Sequence, residues 1–168
     1  MPRNGIAEPD VDLEPSPRIE ALDITPEILA RSTLPDIQHT DAHLLHIDRA
    51  ADRSAEQWAR AIMEEVPAEV RTTLERAWQS IALRLTPGAP RTVAGWSIAH
   101  SGTDYVLLQA ESALDFEGQL LFERRENTVL LATFVRYRDP AASTVWERAL
   151  PSHLGFVRAL LERVAQFE

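Results

Sequence analysis

The sequence predicts an α+β domain in which a curved antiparallel sheet wraps around a long C-terminal helix. Hydrophobic periodicity is helical over residues 54–85, changes to the two-residue repeat of strands at Thr92, and turns helical again near Ala141. The strand-like runs between those points are joined by links of hairpin length, and short links force antiparallel neighbours. A helix with a long apolar stripe placed after such a meander is buried most simply in the concave face of the sheet. The expected order is β-α-α-β-β-β-β-α.

Each element has its own signal. Residues 41–48 read as the first strand. Ser54 opens a helix, with Gln57 at the capping-box position and a stripe of Ala55, Trp58, Ala59, Ile62, Met63 and Val66. Pro67 breaks it and begins a second helix, striped by Val70, Leu74, Ala77, Trp78, Ile81 and Leu85. The run Thr86-Pro87-Gly88-Ala89-Pro90 stops that helix. Strands are then expected over 93–100, 105–112, 116–123 and 128–138. Alternation places Phe116, Gly118, Leu120 and Phe122 on one face and Asp115, Glu117, Gln119 and Glu123 mostly on the other, where Asp115 and Glu117 are expected to be solvated. The last strand is apolar on both faces, as for a strand covered on both sides. The final helix carries Val145, Trp146, Ala149, Leu150, Leu154, Val157, Leu160, Leu161 and Val164. Its phase continues across Pro151, so one kinked helix is expected rather than two.

Composition narrows the chemistry. The 168 residues include 17 basic residues, all arginine, and 26 acidic ones, for a formal charge of −9. Cysteine is absent, which excludes disulfides, thiol nucleophiles and thiolate metal sites. The net charge argues against nucleic-acid binding, which needs a basic surface. No apolar run is long enough to span a bilayer, and the first residues lack the apolar core of a signal peptide, so a cytoplasmic location is expected. The acid is concentrated in residues 1–40, where eight acidic residues face three arginines and six of the eleven prolines fall. This segment is expected to be a partly disordered arm outside the domain formed by 41–168. Within it, the clusters Ile19-Ala21-Leu22-Ile24 and Ile28-Leu29 could dock on the body, and Thr25-Pro26-Glu27 has the form of a helix start.

Four short strings carry a resemblance. They are Trp58-Ala59-Arg60-Ala61, Pro67-Ala68-Glu69-Val70-Arg71, Val135-Arg136-Tyr137 and Pro151-Ser152-His153. With the element order, they make residues 41–167 resemble the helix-grip superfamily, the START and birch-pollen-allergen type of ligand-binding domain, and more narrowly its short bacterial members. The segment Asp139-Pro140-Ala141-Ala142 departs from the asparagine- and arginine-rich form expected there. The resemblance implies a non-catalytic module, without a cofactor, that holds a small apolar or amphipathic molecule between sheet and final helix.

Candidate site residues follow from that expectation. Trp96 and Trp146 would wall the cavity, with Phe116, Phe122, Phe134 and Tyr137 as neighbours. Arg136 would anchor an anionic group if its strand face is concave and would be a solvent arginine if it is convex. His153 lies on the apolar stripe of the final helix and should face the sheet or the cavity mouth. His43 and His46 are three apart, which on a strand sends them to opposite faces, so no metal site is expected. Gly95-Trp96-Ser97 lacks the second glycine of a nucleophile elbow, and no phosphate-cradling glycine motif occurs. An enzyme using the same cavity is the alternative, with His153 and either Glu111 or Arg136 moving protons. An interaction module with a filled core, whose acidic arm docks on a basic protein partner, is a further one, and a homodimer is a possible assembly.

Overall fold

The computed structural model describes residues 18–167. In chain order the elements are β1 (Ile19–Leu22), a short helix α1 (Pro26–Leu29), β2 (His39–His46), α2 (Ala55–Met63), α3 (Ala68–Ser80), β3 (Thr92–Val93), β4 (Trp96–Ser101), β5 (Tyr105–Glu111), β6 (Phe116–Arg124), β7 (Thr128–Tyr137) and α4 (Ala142–Phe167). The strands form one open antiparallel sheet of order β1-β2-β7-β6-β5-β4-β3. The α+β class and the order of the main elements are those expected from sequence.

The departures have local causes. Strand β2 starts and ends two residues earlier than expected because its ladder with β7 runs from His39↔Val135 to His46↔Thr128. The strand expected over 93–100 is broken by a two-residue turn at Ala94 and Gly95, with φ of 51° and 86°. Positive φ at both turn positions matches the twist of a hairpin, so β3 folds back on β4. A Cβ on Gly95 would lie 3.0 Å from the Pro87 nitrogen, so glycine is required there. Helix α3 stops at Ser80 rather than Leu85. Ala82 turns left-handed (φ 54°), and the amides of Ala82 and Leu83 bond back to the carbonyls of Gln79 and Trp78. The capping box of α2 forms as the sequence implies, with Ser54 Oγ accepting from the Gln57 amide at 3.2 Å and Gln57 Oε1 from the Ser54 amide at 2.8 Å. Helix α4 is continuous through Pro151.

The sheet is covered on both faces. Its inner face packs Leu45, Val106, Leu108, Phe122 and Leu131 against Trp58 and Ile62 of α2, Leu74 of α3 and Val157, Leu161 and Val164 of α4. The outer face packs Leu44, Leu107, Leu121, Leu130 and Phe134 against Ile28, Ile24, Leu34 and Ile37. Residues 19–38, assigned by charge to the arm, therefore supply both an edge strand and the layer that closes the outer face. Leu22, Ile24 and Ile28, from the clusters that could dock, take part in that layer together with Leu34 and Ile37, while Leu29 is exposed and Ile19 packs on the inner face. The arm's first 17 residues lie outside the described part of the chain.

Candidate functional site

Between α3, α4 and the inner face of β4, β6 and β7 lies a cavity of about 670 Å³. The size is that of small-molecule sites, about 300–1,000 Å³. Period-two alternation supplies its floor: Phe116, Gly118 and Leu120 from β6, and Leu131, Thr133 and Val135 from β7. Trp96 closes one end from β4. The walls come from the helical stripes, Leu74, Ala77, Trp78 and Ile81 on α3 and Trp146, Ala149, His153, Phe156 and Val157 on α4. The charged residues on the lining are Arg76 and Arg148, and no carboxylate is among the lining residues. Both arginines are exposed, and neither has an ion pair or hydrogen bond among the described residues. Their helices place no acid three or four residues away from either.

Three lining residues carry buried polar atoms without a hydrogen-bond partner among the described residues: Trp96 Nε1, Trp146 Nε1 and Thr133 Oγ1. Buried donors are almost always satisfied, so unsatisfied ones on a cavity wall mark places for a polar atom of a ligand or water.

A second feature abuts the cavity. On β2, alternation sends His39, Asp41 and His43 to the inner face, across from Val135, Thr133 and Leu131 of the cavity floor. Helix α4 brings His153 down on them. Nε2 of His39 is 2.6 Å from Asp41 Oδ2, and Nε2 of His153 is 3.0 Å from the same oxygen. His43 Nδ1 is 3.7 Å from the other oxygen, Oδ1, which has no hydrogen-bond partner. Trp146 packs over the pair, its ring 5.2 Å from that of His39 and 5.1 Å from that of His153. Burial of Asp41 opposes its ionisation, but the hydrogen bonds from His153 and His39 and their charge outweigh it and hold the carboxyl far below the usual range. His43 is also held below the ordinary histidine value: burial lowers it, Asp41 opposes that shift, and His153 and Arg158 add to it.

Of the sequence-predicted site residues, Trp96, Phe116, Trp146 and His153 stand on the cavity wall. The others do not meet there. Phe122 shares the inner face but is packed beneath α2, in the core with Trp58 and Ile62. Phe134 and Arg136 point to the outer face, because the residues of β7 that face inward are the odd-numbered ones, 131, 133 and 135. Phe134 is covered by the 19–38 layer, and Arg136 Nη1 donates to Glu117 Oε1 at 2.8 Å. The alternative that made Arg136 a concave-face anchor is thereby corrected, and so is the solvated Glu117, which is buried at 5% exposure between Arg136 and Arg138. Tyr137 packs with Phe116 and Trp146 but lies outside the lining. Burial and the nearby Glu147 push its phenol above the ordinary value. Glu111 pairs with Arg138 at 2.6 Å and not with His153. His46 is exposed and His43 buried, on opposite faces as their spacing implies.

Sequence reasoning missed Asp41 and His39 as partners of His153, and Arg76 and Arg148 as the cavity's cations. The signal for the first was present: His39, Asp41 and His43 alternate at strand period. Comparison with protein-family models, curated proteins and solved structures finds no match to this chain.

Proposed function

We propose that this protein is a non-catalytic binding module for a small amphipathic molecule with an anionic end. The apolar body of the ligand occupies the cavity, and its carboxylate or comparable group meets Arg76 and Arg148. The observation that carries this reading is an apolar cavity of about 670 Å³ whose lining, among the described residues, holds two unpaired arginines and no carboxylate. Arginine favours such groups because its planar fork binds them through two hydrogen bonds at once. The buried Trp96 Nε1 and Trp146 Nε1 supply further donors. The reading agrees with the resemblance to helix-grip ligand-binding domains drawn from the sequence strings.

Native mass spectrometry of the purified full chain tests whether a small molecule is retained. Calorimetry with decanoate and with decanol separates the anionic end from the apolar body. Decanoate is expected to bind more tightly, and Arg76→Ala with Arg148→Ala to remove most of that difference, about 1.5–3 kcal/mol for hydrogen bonds to a charged group. Ala149→Leu, which fills the cavity from α4, is expected to weaken both probes without loss of fold. If neither probe binds and no molecule is retained, the reading fails.

The contact between Asp41 and His153 favours a second reading, an enzyme in which His153 moves a proton at the cavity wall. The carboxylate, 3.0 Å from Nε2, fixes the ring's orientation. In this reading His153→Ala abolishes turnover of the retained molecule. In the binding reading it leaves affinity largely intact.

A further inference from the structure

We propose that His39, Asp41 and His153 form a site for a divalent transition-metal ion of the Zn²⁺ class. The inference rests on the side chains of β2 and α4 and is independent of what the cavity binds. Imidazole nitrogen and carboxylate oxygen are ordinary zinc ligands, at about 2.0–2.2 Å from the ion. An ion can bond two atoms only when they are no more than about twice that length apart, roughly 4.2 Å. The two N–O separations, 2.6 and 3.0 Å, lie within that limit. All three ligand atoms lie within 4.8 Å of one another, so the two imidazole nitrogens need approach by at most about 0.6 Å to meet that limit.

The distribution of contacts points the same way. Two imidazole nitrogens converge on Oδ2 while Oδ1, though buried, has no hydrogen-bond partner. His43 Nδ1, also buried and unpartnered, sits 3.7 Å from Oδ1 and is placed to donate to it once the carboxylate turns toward an ion. Outer hydrogen bonds of that kind orient the carboxylate ligands of metals. Trp146 packs against both imidazoles, its ring 5.2 Å from that of His39 and 5.1 Å from that of His153. Two neutral imidazoles and one carboxylate leave a zinc ion with net positive charge and an open coordination position. That is the pattern of sites that also bind water or an exogenous anion.

The test uses the full chain, freed of metal with chelator and dialysed, then titrated with ZnCl₂ by calorimetry and with CoCl₂ by visible absorption. One equivalent of Zn²⁺ is expected, with cobalt giving the d–d bands of a nitrogen- and oxygen-ligated ion. Asp41→Asn and His153→Ala should each weaken binding by at least about 100-fold, the upper end of what losing an outer partner costs. His46→Ala and His100→Ala should leave it unchanged. Because Asp41 is buried and its variant could unfold, a second readout uses the unaltered protein: Zn²⁺ should protect His39 and His153, but not His46 or His100, from carbethoxylation mapped by mass spectrometry. Absence of stoichiometric uptake, binding that survives in folded cluster variants, or failure to protect His39 and His153 overturns the proposal.

Discussion

Arg136 carries the same charge on either face of β7, and what it can do depends on which face that is. On the outer face its guanidinium is held by Glu117, which Arg138 also engages at 3.1 Å. Two cations on one buried carboxylate make the arrangement redundant. Removing Arg136 alone leaves Arg138 in place and should cost only about 1 kcal/mol, since both arginines are partly solvent-screened. Removing both strands Glu117 without a partner, and the double variant should lose about 2–3 kcal/mol, more than the sum of the single losses. Urea unfolding of the two single variants and the double variant measures this, and strict additivity would contradict it. Parity along a strand is readable from sequence, so the sequence already shows Arg136 and Phe134 to be on one face. Which of the two faces meets α4 cannot be read from parity, because β7 is apolar on both sides.

Elements show a similar division between local signal and tertiary decision. The turn at Ala94 and Gly95 converts one expected strand into a hairpin, and a Cβ on Gly95 would press on loop residues 85–87. Gly95→Ala is expected to destabilise by about 1–3 kcal/mol, combining a strained φ with a close backbone contact. At the end of α3, Ala82 takes the left-handed conformation that glycine usually fills after a helix. Ala82→Gly should therefore stabilise, by about 0.5–1 kcal/mol, and raise the melting temperature in a scanning calorimeter. Helix α3 itself has Leu74 as its one buried residue among the 13 it contains, while it forms a wall of the cavity. A helix with so few buried contacts opens at low cost. Its amides are expected to exchange with deuterium faster than those of α4 around Leu160 and Leu161, and to slow when the cavity is filled. Equal exchange in the two helices would count against α3 as the movable wall.

At the scale of the molecule, the segment 19–38 determines whether the sheet has one covered face or two. Ile28 is buried at 2% exposure against Leu121, Leu130 and Phe134, Arg31 lies over the Tyr105 ring at 4.1 Å, and Ser32 Oγ donates to the fully buried Gln119 at 2.7 Å. Ile28→Ala should cost about 2–4 kcal/mol by the lost burial and the void left behind. Deleting residues 1–38 should expose the apolar outer face and cause aggregation or loss of cooperative unfolding. A truncated chain with an unchanged melting temperature would show that the layer is dispensable. Read from sequence, the same segment is an acidic, proline-rich arm, because six of the eleven prolines and a local charge of −5 dominate its composition while its few apolar residues are scattered. By itself the sequence determined the α+β class, the order of the main elements and the capping box that opens α2. These follow from period and local chemistry, which act over a few residues. The tertiary structure alone decided that Asp41 meets His153 across 112 positions of chain, that Arg76 and Arg148 come from different helices to one cavity, and that a charged arm closes the outer core. Such contacts depend on the register between strands and the docking of helices, which no window of sequence contains.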